Sequence, residues 1–211
     1  MADGRDGEPV LRLGILGGTF DPPHYGHLAL AENGRVQLGL ERVLFVLAGQ
    51  PPHKPEQPVT SAAHRVAMIE AAITGNPAFF ASRVDLERPG PHYTVDMLAA
   101  LQQQYPGAAL FFLMGGDSLA QFPTWRDPAG ILQRARLAVM GRPGYQPDWE
   151  RLERAVPRIK TRLTQLDVPR LDIASTDLRR RVGVGLPLRY LVPPAVEEYV
   201  RRNRLYVGES E

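Results

Sequence analysis

The chain has 211 residues, of which 44% are hydrophobic and 23% charged, and its formal net charge is +2. This composition is typical of globular domains and excludes collagen-like and wholly disordered chains. The sequence contains no Cys, which excludes disulfides, thiolate zinc sites, iron–sulfur clusters and cysteine nucleophiles.

The apolar segments are short. The longest uninterrupted one, Ala108 to Met114, is far below the roughly 20 residues that cross a bilayer, so no membrane partner is expected. Residues 1–9 contain acidic residues and glycine instead of a basic and apolar signal, and are expected to be a disordered leader. With the lack of Cys, these features favour a cytoplasmic protein.

Charge is distributed unevenly along the chain. Residues 1–125 carry 8 basic and 12 acidic side chains, whereas residues 126–211 carry 17 and 11. The basic second half suits an anionic ligand, or equally the solvated faces of Arg-rich helices. It holds no dense basic run with interleaved aromatic residues, so nucleic acid is not an expected partner.

Five short β-branched or apolar runs predict strands. They are too short and too apolar for half-exposed hairpins and are typical of a buried parallel sheet. The predicted strands are Val10–Leu16, Val43–Leu47, Phe79–Val84, Ala109–Met114 and Leu137–Met140.

The segments between the strands have helical periodicity. The predicted helices are His27–Leu38, Ser61–Thr74, Thr94–Tyr105, Ser118–Phe122, Pro128–Arg134 and, after two prolines, Ala195–Arg202. Asp127 is a good N-cap before Pro128, and Ser61 or Thr94 could cap likewise. Asp148–Val156 has a helical pattern and is assigned to a peripheral segment.

Alternation of strands and helices predicts a doubly wound, Rossmann-like α/β fold with helices on both faces of a parallel sheet. Residues 10–211 are expected to form one domain, with a small helical C-terminal part from about residue 174. Ligands of such sheets bind outside the carboxyl ends of the strands. Glycine-rich and polar loops follow four of the predicted strands, so the chemistry is expected at this edge.

The loop after the first strand, residues 17–27 with the sequence GGTFDPPHYGH, is the most informative. Its glycines let backbone amides approach a ligand, and the start of the next helix favours an anion. His24 and His27 fall on one helix face and can both donate to phosphate oxygens. One of them could instead be a core residue. A zinc site is not expected, because this sequence pattern offers no third protein ligand.

This loop resembles the signature of the HxGH nucleotidylyltransferases, and Ile173–Arg179 (IASTDLR) is similar to their second motif, ISSTxIR. The classical P-loop and the G-x-G-x-x-G fingerprint are both absent. Further segments are similar to the bacterial nicotinate mononucleotide adenylyltransferases within that superfamily. They are PPHK at 51–54, HR at 64–65, GPHYTVD at 90–96, GGDS at 115–118, Trp125 and RPG at 142–144. The chain has His92 and Ala174 where the family usually has Ser.

The resemblance implies adenylyl transfer from ATP to nicotinate mononucleotide, which gives deamido-NAD and pyrophosphate in NAD biosynthesis. Mg²⁺ is expected on the ATP phosphates with no ligands from protein side chains. The alternatives are pantetheine-phosphate adenylyltransferase, a cytidylyltransferase, a synthetase-like fragment, and a nucleotide sensor without catalysis. A homodimer is left open.

The resemblance also implies the role of each site residue. His24, His27 and Arg179 are assigned to catalysis, the histidines at the α-phosphoryl group and the arginine on the leaving pyrophosphate. ATP is assigned to Gly17, Gly18, Thr19, Phe20, Asp117, Arg142, Ser175 and Thr176. Nicotinate mononucleotide is assigned to Lys54, Arg65, Tyr93, Thr94 and Trp125.

The local patterns leave alternatives for several of these residues. Ser175 at the start of a helix could be a plain N-cap. Trp125 could equally belong to the core. Lys54 and Arg65 could bind the substrate phosphate or order their own loop.

Overall fold

The computed structural model describes residues 10–49, 59–141, 147–169 and 171–208. A parallel six-stranded sheet with the order β3-β2-β1-β4-β5-β6 forms its centre. The strands are β1 (Arg12–Gly18), β2 (Arg42–Leu47), β3 (Phe79–Ser82), β4 (Ala109–Gly115), β5 (Ala135–Met140) and β6 (Leu163–Leu166). The predicted doubly wound α/β class is confirmed.

Helices connect the strands and follow the sheet. They are α1 (Tyr25–Leu38), α2 (Ala62–Ile73), α3 (Thr94–Gln104), α4 (Gly116–Gln121), α5 (Pro128–Arg134), α6 (Trp149–Ala155), α7 (Ile159–Arg162), α8 (Ser175–Gly183) and α9 (Pro194–Arg202), with a 3-10 turn at Phe122–Thr124. Among the residues that the structure describes, no helix is long and apolar enough to cross a bilayer.

The prediction of five strands was one too few. β6 pairs with β5, where Leu163 lies opposite Leu137, and forms an edge of the sheet. Its four residues include Thr164 and Gln165, and only Leu166 is buried. An edge strand needs no continuous apolar run, because one of its sides lacks a neighbouring strand.

Two of the three predicted helix caps are confirmed. The side chain of Asp127 accepts from the N–H of Gly130 at 2.9 Å, and that of Ser61 accepts from the N–H of His64 at 3.5 Å. The capping role of Thr94 was wrong. Tyr93 takes the N-cap position there, and Thr94 is the first residue of α3.

The core consists of three apolar clusters. Because side chains alternate along a strand, Phe112 packs on one face of the sheet whereas Phe111 and Leu113 pack on the other. The third cluster lies away from the sheet, between α2 and the C-terminal helices. It contains Met68, Ala72, Leu178, Leu188, Val192, Val196, Val200 and Tyr206, and is called the C-terminal cluster below.

The sheet order places a crevice between β1 and β4. The chain winds outward from β1 through β2 and β3, and then returns to β4 on the other side of β1. Ligands of open α/β sheets bind at such a reversal, outside the carboxyl ends of the strands. Gly17 and Gly18 end β1 and Gly115 ends β4, so the predicted motifs meet there.

Candidate active site

The loop after β1 folds tightly around Phe20. This residue is 1% exposed and has a φ of +49°, in the left-handed region. A Cβ on Gly18 would lie 3.0 Å from the Phe20 ring, so a larger residue there would crowd the ring as it folds back. Left-handed backbone at a non-glycine residue costs on the order of 1–3 kcal/mol and is concentrated at functional sites.

The two motif histidines stack at the start of α1. Their ring centroids are 3.7 Å apart, and the backbone N–H of His24 donates to Nδ1 of His27 at 3.2 Å. A Cβ on Gly26 would lie 3.0 Å from the His24 ring, which explains the small residue between them. Because Nδ1 of His27 accepts, the proton of its neutral ring is on Nε2.

Both histidines are neutral near pH 7. Burial lowers the pKa of His24 to about 4. Burial, and secondly the neighbouring His24, lower the pKa of His27 well below its usual value. The pair therefore offers N–H donors and no fixed charge. Nδ1 of His24 is buried without a hydrogen-bond partner among the described residues.

The second motif lies against the first loop. Ser175 Oγ donates to the carbonyl of Pro22, and Arg179 donates to the carbonyl of Asp21, both at 2.9 Å. Ala174 takes the N-cap position of α8, so the interpretation of Ser175 as a plain N-cap was wrong. Its hydroxyl joins two motifs that are about 150 residues apart.

These elements line one cavity, called the histidine pocket below. Its lining residues are Thr19, Phe20, Asp21, His24, His27, Val59, Ala174, Ser175, Thr176 and Arg179. All three side chains predicted to be catalytic lie there. The first turn of α8 adds backbone N–H groups, which favour an anion.

Sequence reasoning missed the contact between Asp21 and Tyr206. The Tyr206 hydroxyl donates to the Asp21 carboxylate at 2.6 Å, and the N–H of Thr60 donates to the same carboxylate at 3.0 Å. Asp21 is 2% exposed and Tyr206 is 4% exposed. Burial, and the carboxylate beside it, raise the pKa of Tyr206. Tyr206, near the C-terminal end of the described residues, therefore holds the loop that carries the histidines.

Of the two roles expected for Arg65, the contacts support the ordering of loops. Its buried guanidinium donates to the carbonyls of Thr60 (2.8 Å), Thr19 (3.1 Å), Ala48 (2.9 Å) and Gly49 (3.4 Å). Most of its donors are thereby used on backbone oxygens.

A second cavity, called the aromatic pocket below, shares Thr19 with the first. It is lined by Gly17, Gly18, Thr19, Val46, Ala48, Asp85, His92, Tyr93, Thr94, Met97, Phe112, Trp125, Arg126 and Ile131. The two residues at the start of α3, Tyr93 and Thr94, were both predicted for the second substrate. Thr19 therefore lies where a phosphate can be approached from either pocket, and Gly17 and Gly18 precede it on the side of the aromatic pocket.

The position of Trp125 is compatible with both interpretations given to it, as a core residue and as a stacking surface for the pyridine ring. Its ring packs against Phe112 and Phe122, with centroid distances of 5.9 and 5.5 Å, and it also lines the aromatic pocket. The packing fixes the indole, while its pocket side stays available for stacking on a flat ring.

Two further titratable residues of the aromatic pocket have internal partners. Asp85 is buried and accepts from Arg88 at 2.7 Å, and burial raises its pKa. Nε2 of His92, which replaces the usual Ser of the family, donates to the Arg88 carbonyl at 3.0 Å.

Of the predicted ATP and mononucleotide ligands within the described residues, Asp117 and Arg65 line neither cavity. Asp117 is exposed in the first turn of α4, directly after β4. Lys54 and Arg142 lie outside the described residues, as does the leader at residues 1–9. Their roles stay predictions.

Within the same described ranges, no three His, Asp or Glu side chains come together as a metal site would require. The Asp21 carboxylate faces the histidine pocket but already accepts from Tyr206 and Thr60. A divalent cation in this pocket would therefore need ligands from a bound phosphate and from water.

Comparison with known proteins agrees with this geometry. The cytidylyltransferase-like family matches residues 15–181. A probable nicotinate-nucleotide adenylyltransferase of Thermomicrobium roseum is 51% identical over 195 residues, which cover 92% of this chain and 91% of the relative. The chain belongs to the nicotinate-nucleotide adenylyltransferase family. Its relative of the same name in Roseiflexus castenholzii is 47% identical and is covered over 98% of its length.

Solved structures of the family share the fold. The Plasmodium falciparum nicotinic acid mononucleotide adenylyltransferase, solved in complex with APC and also with NaAD, has a TM-score of 0.74 to this chain. The comparison covers 93% of this chain and 97% of that one, at 17% sequence identity.

Proposed function

We propose that this protein transfers the adenylyl group of ATP to nicotinate mononucleotide, giving deamido-NAD and pyrophosphate in NAD biosynthesis. The observation that carries the proposal is the meeting of two different pockets at Thr19. One pocket is rich in hydrogen-bond donors suited to phosphate, and the other has aromatic walls suited to a pyridine ring. The names of the relatives agree with this pair of substrates.

In the proposed reaction, a 5′-phosphate oxygen of the mononucleotide attacks the α-phosphorus of ATP. The bond from that phosphorus to the oxygen of the β-phosphate breaks, and pyrophosphate leaves. Such transfers depend on positioning and on stabilisation of charge more than on covalent help from the protein.

The described side chains suit that task. The Nε2–H of His27 and the ring of His24 are assigned to the charge that develops on the α-phosphoryl oxygens. Arg179 uses one N–H donor to bind the carbonyl of Asp21. Its other donors, with the first amides of α8, are available to bind the pyrophosphate. Gly17 and Gly18 allow backbone amides to approach the phosphates.

Mg²⁺ is proposed to enter with ATP. The donor set of the histidine pocket fits an ion held by phosphate oxygens and water, because Asp21 is already engaged. When bound, Mg²⁺ would neutralise part of the phosphate charge.

The acceptor is assigned to the aromatic pocket. Its pyridine ring would stack on Trp125, and its carboxylate would lie near the amides at the start of α3, beside Tyr93 and Thr94. Arg65 would act indirectly by ordering the loops around Thr19.

The test is pyrophosphate release from ATP with a panel of acceptors. We expect release with nicotinate mononucleotide at a higher kcat/KM than with nicotinamide mononucleotide, because only the acid places a carboxylate at the start of α3. Phosphopantetheine, and glycerol phosphate with CTP, serve as acceptors for the alternative activities. A higher kcat/KM with either of them, or binding of ATP without release, would contradict the proposal.

A further inference from the structure

The aromatic pocket carries an unbalanced positive charge. Among its described lining residues, Arg126 is the one Arg or Lys. The acidic residue of the pocket, Asp85, is already paired with Arg88. An anionic group in this pocket would therefore meet a cation whose charge is not compensated locally.

The Arg126 guanidinium is held without using its donors. It lies over the Tyr93 ring, 4.6 Å from the ring centroid, and forms no hydrogen bond or ion pair with another residue of the described ranges. Stacking fixes the plane of a guanidinium while leaving its N–H edge free, and that edge matches a carboxylate with two parallel hydrogen bonds. Since Tyr93 directly precedes α3, the cation and the helix start lie side by side.

The position of Arg126 favours the pyridine end of the substrate over its phosphate end. The phosphate end belongs near Thr19, which the aromatic pocket shares with the histidine pocket. Arg126 instead follows Trp125 in the chain and stacks on Tyr93, at the aromatic wall.

We infer that Arg126 is a specificity-determining residue, which binds the carboxylate on the pyridine ring through its side chain. The inference rests on the proposed function and assigns selection of the acid to a residue that sequence reasoning did not single out. A carboxylate gains charge-assisted hydrogen bonds from the guanidinium. A carboxamide has no charge, and its NH₂ group would face the N–H donors of Arg126 unproductively.

The test compares kcat/KM for nicotinate and nicotinamide mononucleotide in the wild type and in Arg126→Gln. We expect kcat/KM for the acid to fall about 10-fold or more, kcat/KM for the amide to change less than about twofold, and KM for ATP to stay the same. Arg126→Lys, which keeps the charge but loses the planar fork, should retain part of the preference. Arg136→Gln is the matched control, because it removes an exposed arginine from β5 that lines neither pocket.

The outcomes separate this inference from the proposed function. Equal fold losses in kcat/KM for the two mononucleotides would place Arg126 on a group that they share, and an unchanged kcat/KM for both would place it on neither. Both results would overturn the inference while the wild-type activity stands. If the wild type released pyrophosphate with neither mononucleotide, the proposed function itself would be overturned.

Discussion

The histidines at the start of α1 owe their properties to three local features. Gly26 makes room for the His24 ring, the N–H of His24 fixes the tautomer of His27, and burial keeps both rings uncharged. A neutral donor has a specific advantage at a phosphoryl group. It can follow charge as the charge develops, whereas a cation would already bind the charged ground state strongly.

His27→Ala should lower kcat about 10²–10³-fold, the usual loss for one preorganised donor to developing charge. The protein should stay folded, because the His27 ring lies at the wall of an open pocket. The measurement is kcat and the thermal midpoint on the same preparation.

His64→Ala is the control for this prediction. His64 is a half-buried histidine whose Nδ1 bonds to the Tyr199 hydroxyl at 2.9 Å, and it lines neither pocket. A folded His27→Ala variant with near-normal turnover would remove His27 from the catalytic residues. A loss of activity that only follows the folded fraction would make it a structural residue.

The segment from α4 to α5 forms one wall of the aromatic pocket. Phe122 in its 3-10 turn is fully buried, and Asp127 caps α5 one turn later. Trp125 lies between these two fixed points. Its orientation is therefore set by the elements on both sides and not by a bound ligand.

Trp125→Ala should raise KM for nicotinate mononucleotide by about tenfold or more, and KM for ATP much less, because stacking on a flat ring is worth about 1–3 kcal/mol. Steady-state kinetics with each substrate varied in turn would measure the split.

The other tryptophan provides the matched control. Trp149 lies in α6, where Lys160 lies over its ring at 5.7 Å, and it lines neither pocket. Trp149→Ala should lower the thermal midpoint without changing the ratio of the two KM values. Equal rises of both KM values in Trp125→Ala would instead indicate that the indole serves only to support the fold.

Local sequence patterns predicted these elements well where the pattern is strong. Continuous apolar runs predicted β1 to β5 within two residues at most ends, and the Asp-Pro pair predicted the start of α5. Thr94 was misplaced by one position because a short polar residue before an apolar helix is a cap signal whether it stands at N-cap or at N1. β6 was missed because its single buried side chain leaves no periodicity to detect.

Only the site residues that belong to sequence motifs could be predicted. The side chains predicted from the HxGH and IASTDLR segments line one cavity. Arg65 and Tyr206 have roles that depend on partners far along the chain, such as the 185 residues between Tyr206 and Asp21. No local pattern indicates such a contact, because it is created by the packing of α2 against the C-terminal helices. The homodimer and the cytoplasmic location stay predictions.

At the scale of the whole molecule, the C-terminal part of the described chain contacts the first loop beside the candidate active site. Tyr206 belongs to the C-terminal cluster, and its hydroxyl reaches the Asp21 carboxylate beside the histidines. The backbone carbonyl of Asp21 in turn accepts from Arg179. The loop that carries His24 and His27 is therefore positioned by two residues from the C-terminal part of the described chain.

Tyr206→Phe should lower kcat/KM for ATP by about tenfold even in fully folded protein. The ring still fills its site, but the buried Asp21 carboxylate loses a hydrogen bond worth about 1–3 kcal/mol, so the loop is less firmly held. Kinetics should be measured well below the thermal midpoint of the variant.

Tyr199→Phe offers a matched control in α9, because its hydroxyl bonds only to His64 among the described residues. We expect that variant to keep the wild-type kcat/KM. Wild-type kinetics in folded Tyr206→Phe would show that the contact with Asp21 has no effect on the site.

The separate position of the C-terminal cluster has a consequence for local unfolding. The buried side chains of α8 and α9 cluster with those of α2. Ser175, Arg179 and Tyr206 connect this unit to the first loop. A transient opening of the unit would remove Arg179 and the α8 amides from the phosphates, so a nucleotide bound there must oppose the opening. Backbone amides of α8 and α9 should therefore exchange with deuterium more slowly when a non-hydrolysable ATP analogue is bound, although most of them contact no ligand.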